Sequence, residues 1–91
     1  MRWLAEVHVR LRPGIADQEG QTIAGGLRSL GFEVADVRAG KLLRVTFDAD
    51  DHTGAEAAVG QMCSRLLANP VMETADWELS ADESVAAGTE S

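Results

Sequence analysis

Hydrophobic and polar residues alternate from the start of the chain. Trp3, Ala5, Val7, Val9 and Leu11 interleave with Arg2, Glu6, His8, Arg10 and Arg12. Period two with one polar row predicts a strand with one buried face. Leu4 interrupts the polar row, so the outer face is not wholly polar. Pro13-Gly14 ends the strand. The period then changes. Ile23, Leu27 and Leu30 recur at helical spacing behind Asp17, a side chain suited to capping a helix, and Glu19 adds favourable charge in the first turn. Gly20, Gly25 and Gly26 each weaken that helix by roughly 0.5–1 kcal/mol relative to alanine. Either tertiary packing compensates for them, or another backbone comes close. Gly31 supplies the stop.

Residues 32–38 read as a second strand and Arg38-Ala39-Gly40-Lys41 as a tight turn. Leu43, Val45 and Phe47 alternate with Arg44, Thr46 and Asp48 in a third strand, which makes an antiparallel hairpin. Thr53-Gly54-Ala55-Glu56 fits a capping box. It opens an amphipathic helix on Ala55, Val59, Met62, Cys63, Leu66 and Leu67. Asn69 can take the left-handed conformation that ends helices, and Pro70 cannot continue one. Val71, Ala75, Trp77 and Leu79 form the inner row of a fourth strand, with Glu73 as an exception.

The order β-α-β-β-α-β predicts an α+β fold: a two-layer sandwich of four antiparallel strands with both helices on one face. The domain spans residues 1–79. Residues 80–91, drawn from Ser, Ala, Asp, Glu, Gly, Thr and Val, read as a poorly ordered acidic tail. The uncovered sheet face carries Arg2, Leu4, His8, Arg10, Leu42, Arg44, Thr46, Met72 and Thr74. This mixed row predicts a homodimer contact through the outer face and the edge of the first strand, burying Leu4, His8, Leu42 and Arg44.

Size and charge narrow the picture. A 91-residue chain forms one domain and buries only about 60–65% of its unfolded surface, so oligomerisation is a natural supplement. No apolar run approaches the roughly 18–20 residues of a membrane span, and no signal-peptide core is present. With one cysteine, no intrachain disulfide forms, and a cytoplasmic location is the default expectation. The net charge is −7. Nine acids and eight bases lie at or before Arg65, and six acids and no base lie after it. A chain without a basic stripe is a poor nucleic-acid binder.

No residue pattern makes an active site. Cys63 lies on the apolar stripe with no histidine placed beside it, which suits a buried thiol. His8 and His52 are too far apart in sequence pattern to form a triad or a metal pair. Asp48, Asp50 and Asp51 lead into His52 and Thr53, where a calcium loop needs an oxygen donor and a glycine, so this is a solvated loop before a helix. Gly40-Lys41 lacks the rest of a phosphate loop, and Gly14 and Gly20 match no dinucleotide fingerprint. These residues alone describe a small binding or assembly module with no bound cofactor or metal.

Three segments are specific enough to go further. Leu11-Arg12-Pro13-Gly14-Ile15-Ala16-Asp17-Gln18-Glu19-Gly20, Val37-Arg38-Ala39-Gly40-Lys41 and Met62-Cys63-Ser64-Arg65-Leu66-Leu67-Ala68-Asn69-Pro70-Val71-Met72-Glu73 resemble, in this order, the PurS subunit of phosphoribosylformylglycinamidine synthase. The resemblance covers residues 3–79. Gln18 departs from the proline the family commonly places there. The resemblance implies a non-catalytic subunit in purine biosynthesis that forms dimers or tetramers. It implies two partners: a glutaminase that releases ammonia, and a large synthetase that uses ATP and Mg to convert formylglycinamide ribonucleotide to the formylglycinamidine. The partner-facing candidates that repeat the family pattern are Asp17, Gly20, Arg38, Gly40, Lys41, Asn69 and Pro70. Two other readings use the same strand order. One is a regulatory domain for an amino acid or nucleotide, with its ligand near Gly14 and Gly20. The other is an acylphosphatase-type hydrolase, which would have to use Asn69, the only asparagine.

Overall fold

The computed structural model describes residues 1–82. Three strands form its sheet: β1 (Arg2–Leu11), β2 (Gly40–Asp48) and β3 (Glu73–Ala81). The order is β2-β1-β3, and both pairings are antiparallel. Two α-helices, α1 (Gln18–Ser29) and α2 (His52–Met62), complete the fold, and a π-helical turn (Cys63–Leu67) extends α2.

The alternation in β1 places Ala5, Val7 and Val9 on the inner face, where Val59 and Cys63 from α2 and its π turn cover them. Leu43, Val45 and Phe47 of β2 and Ala75, Trp77 and Leu79 of β3 flank this core. Trp77 lies at its margin and donates from Nε1 to Glu56 Oε1 at 2.8 Å. Trp3 does the same for Ala49 O at 3.3 Å and meets His52 edge-on, with ring centroids 5.7 Å apart. On the outer face, Arg2–Asp48, Arg44–Glu6 and Arg10–Asp76 tie neighbouring strands together.

The structure corrects several expectations. Residues 32–38 form no strand, so the sheet has three strands where four were expected. The turn at residues 38–41 is not formed either. Two-residue hairpin turns need a positive φ, and among the described residues only Gly14 and Gly31 have one. The layer of two helices is incomplete, because α1 contributes nothing to the core cluster. With β2 and β3 on either side of β1, both its edges are filled, so its edge cannot take part in a dimer contact.

Smaller shifts follow from local hydrogen bonding. α2 is capped by Asp51, whose carboxylate accepts from Gly54 N at 2.8 Å. This displaces Thr53 from the cap and leaves Glu56 to bind Trp77. The π turn, closed by Ala68 N donating to Cys63 O at 3.1 Å, adds a residue to the last turn. Leu66 is thereby turned out of the apolar stripe and is 83% exposed. Asn69 keeps a negative φ and stops the helix with its side chain, whose Oδ1 accepts from Val71 N at 2.9 Å. β3 therefore starts at Glu73 and leaves Val71 exposed. Ser80 and Ala81 belong to β3, and residues 83–91 of the expected tail lie outside the described residues.

Candidate functional site

The residues matching the first two family segments converge at one end of the sheet. β1 runs out at Leu11, and the chain reverses through Gly14 at φ +91°. It then reaches Asp17, the N-cap of α1, as the sequence predicts. Asp17 does more than cap. Its Oδ1 accepts from Gly20 N at 2.8 Å, and its Oδ2 accepts from Ala39 N at 2.7 Å, 22 residues away. Arg38 Nε stands 4.0 Å from the same Oδ2. One carboxylate thus fixes the start of α1 to the segment entering β2.

Asp17 is buried, yet it is held as a carboxylate. The amide donors of Gly20 and Ala39 push its pKa below the usual carboxylate value, more strongly than burial raises it, and Arg38 adds to the effect. The glycines have steric reasons. A Cβ on Gly20 would strike the Val37 carbonyl oxygen, so here the helix glycine marks a close backbone approach. A Cβ on Gly40 would come within 2.8 Å of Val9 O, in the strand that pairs with it.

Around this clamp lie two adjoining depressions, of about 420 and 340 Å³. The first is walled by His8, Arg10, Arg38 and Lys41, the second by Arg10 and Lys41 with the acids Asp17, Glu19 and Glu73. Arg10 reaches Asp76 at 3.2 Å, whereas Lys41 has no ion pair among the described residues. A chain of net charge −7 therefore presents a local basic rim at the first depression, bordered by the acids of the second. Such a rim suits recognition of an acidic surface.

Asn69 and Pro70 sit on the other side of the end of β1. Arg12 holds this junction at Pro70 and Met72, with Nε and Nη2 donating to Pro70 O at 3.2 and 2.8 Å and its backbone N donating to Met72 O at 2.8 Å. Glu73 Oε1 accepts from Asn69 N at 2.8 Å. The structure thus gathers Asp17, Gly20, Arg38, Gly40 and Lys41 directly, and Arg12 fastens Pro70, the residue after Asn69, to the same end. Arg12 and Glu73 are not among the positions that the sequence pattern marks as partner-facing. An arginine directly before Pro-Gly was the available signal for the first.

The four outer-face candidates lie on one surface. Leu4 stands opposite Thr46, His8 opposite Leu42, and Arg44 opposite Glu6. Leu42 is 55% exposed, and Arg44 Nη2 meets Glu6 Oε2 at 2.8 Å. Cys63 is buried, and burial pushes its thiol above the ordinary pKa. No group of three or more metal-ligating side chains occurs among the described residues. No described helix is long and apolar enough to cross a membrane.

The family model described as PurS, phosphoribosylformylglycinamidine (FGAM) synthase, matches residues 4–81. The phosphoribosylformylglycinamidine synthase subunit PurS of Mycobacterium leprae is 42% identical over 79 residues, covering 86% of this chain and 94% of that protein. The solved PurS of Thermus thermophilus superposes with a TM-score of 0.81 at 38% identity, over 90% of this chain and 99% of the other. A chain in the structure of PurLQS from Thermotoga maritima superposes with a TM-score of 0.81 at 28% identity, over 88% and 99% of the two chains.

Proposed function

The chain belongs to the PurS family of phosphoribosylformylglycinamidine synthase subunits, and on that premise we propose that it is the assembly subunit bridging a glutaminase and an ATP-dependent synthetase. In this reading the glutaminase releases ammonia, and the synthetase uses it to convert formylglycinamide ribonucleotide to formylglycinamidine ribonucleotide. This chain holds the two sites close and assists the transfer. ATP and Mg belong to the synthetase, and this chain binds neither. Its place is the cytoplasm.

The physical need is clear. Free ammonia diffuses away and is protonated, so a bridge that shortens its path raises the effective concentration at the second site. The observation that carries the proposal is the braced basic rim around Asp17. Five residues of the family pattern meet there, and two hydrogen bonds from backbone amides to one carboxylate hold their backbone. Pre-organised backbone of this kind lowers the ordering cost of docking. Lys41, exposed and without an ion pair, is the side chain on that rim most open to a partner.

We also assign the outer sheet face, with Leu4, His8, Leu42 and Arg44, to contact between copies of this chain. His8 and Leu42 also line the depression beside Lys41, so this contact borders the rim assigned to the enzyme partners. The test is sedimentation of the three proteins together, with and without the Lys41→Glu substitution. The native chain should co-sediment with both partners, and reversal of the rim charge should weaken that association about tenfold, more at low than at high salt. Undiminished association would remove the rim from the interface. Absence of any three-component complex would remove the bridging role.

A further inference from the structure

The first depression of the rim lies where a side chain is missing. In the pairing of β1 with β2, Arg10 stands opposite Gly40 and His8 opposite Leu42. No side chain can fill the place opposite Arg10, because a Cβ on Gly40 would come within 2.8 Å of Val9 O. The close approach of the two strands therefore keeps open a hollow of about 420 Å³. Its walls carry Arg10, Arg38 and Lys41, three of the chain's eight lysines and arginines. His8 and Leu42 line it as well, and no acid is among its walls.

The chain itself makes little use of these cations. Lys41 is exposed and has no ion pair among the described residues. Arg38 Nε stands 4.0 Å from Asp17 Oδ2, beyond hydrogen-bond reach, and both Asp17 oxygens already accept from Gly20 N and Ala39 N. Arg10 meets Asp76 through Nη2, at 3.2 Å to Oδ2. Nε and Nη1 of Arg10, the guanidinium of Arg38 and the ammonium of Lys41 thus keep N–H donors unspent around one hollow.

We propose that this hollow binds a phosphate group, either as inorganic phosphate or as the monoester of a small sugar phosphate. The chemistry of the walls selects this ligand. Above its second pKa of about 6, a phosphate monoester carries nearly two negative charges and three strong acceptor oxygens. Guanidinium forks pair bidentately with such oxygens, and a lysine ammonium adds a point charge. A carboxylate offers one charge and two oxygens, and a cation would meet walls that hold no acid. The volume falls within the range of about 300–1,000 Å³ usual for small-molecule sites, which leaves room for a sugar beside the phosphate. The site needs no protein partner, so it goes beyond the assembly role. Where the rim also docks an acidic surface, as proposed above, that surface and a phosphate draw on the same donors and exclude one another.

The test uses the full chain alone, so its result is independent of the glutaminase and the synthetase. Amide NMR spectra of the isotope-labelled chain are recorded as inorganic phosphate, or in a second series ribose 5-phosphate, replaces chloride at constant ionic strength. Saturable shifts are expected at the amides of Arg10, Arg38, Gly40, Lys41 and Leu42, with the amides of α2 unmoved. Lys41→Gln should weaken binding about tenfold, through the loss of one charge-assisted contact. Arg65→Gln removes an equal charge from an exposed side chain outside the hollow and should leave binding unchanged. Equal affinity for the two ligands assigns the hollow to the phosphate group itself, and tighter binding of ribose 5-phosphate assigns it to a sugar phosphate. Shifts that grow without saturating, shifts spread evenly over the chain, or a Lys41→Gln variant that binds as tightly as the native chain would overturn the proposal.

Discussion

At the residue scale, Asp17 does the work of several groups. It caps α1, receives Ala39 and draws Arg38 toward the sheet end. Its pKa is depressed in the folded protein, so its stabilisation is complete above the unfolded value of about 3.9 and is lost as pH falls through the lower folded value. Asparagine at this position can still cap, but its amide nitrogen cannot accept from Ala39 N. Asp17→Asn should therefore lower the urea midpoint at pH 7, and the difference from the native chain should shrink below about pH 4. A difference independent of pH would show that the carboxylate charge is not what matters. The helix glycines separate in the same way. Gly20→Ala meets the Val37 carbonyl and should cost at least about 1 kcal/mol. Gly25→Ala meets nothing within 4 Å and should gain about 0.5–1 kcal/mol. Denaturant titration of both variants checks the contrast.

At the element scale, stability concentrates under α2. Val7 is fully buried in the core cluster, and Val71 is exposed at the junction before β3. Val7→Ala removes two carbons at about 0.8 kcal/mol each and leaves a cavity, so a loss of about 2–3 kcal/mol is expected. Val71→Ala should change stability by less than about 0.5 kcal/mol. Thermal or denaturant unfolding compares the two. The sequence was most legible where packing and pattern agree. The period-two row of β1, the Asp17 cap, the Gly31 stop and the buried Cys63 are all present. It was least legible where a competing hydrogen bond intervenes. Asp51 takes the cap from Thr53, and the π turn rotates Leu66 outward. Residues 32–38 carry strand patterning but find no partner strand among the described residues. Alternation reports which face wants burial and does not say which chain provides it. The candidate site was legible as a set of positions. Its clamp was not, because the bond from Asp17 to Ala39 spans 22 residues and leaves no periodic trace.

At the scale of the whole molecule, a small three-stranded sheet with one helix over its core is an incomplete body that becomes complete in company. The outer face and the depression beside Lys41 share His8 and Leu42, so the two contacts adjoin at one end of the sheet. In the proposed function this chain couples two other active sites and adds no chemistry of its own. The most direct measurement titrates it into fixed amounts of the glutaminase and the synthetase while formylglycinamidine ribonucleotide is followed. With glutamine as nitrogen source, turnover should rise from near zero and saturate at a fixed ratio of subunits. With ammonium salts, turnover should stay level throughout. Glutamine-driven turnover that is already full without this chain would contradict the account.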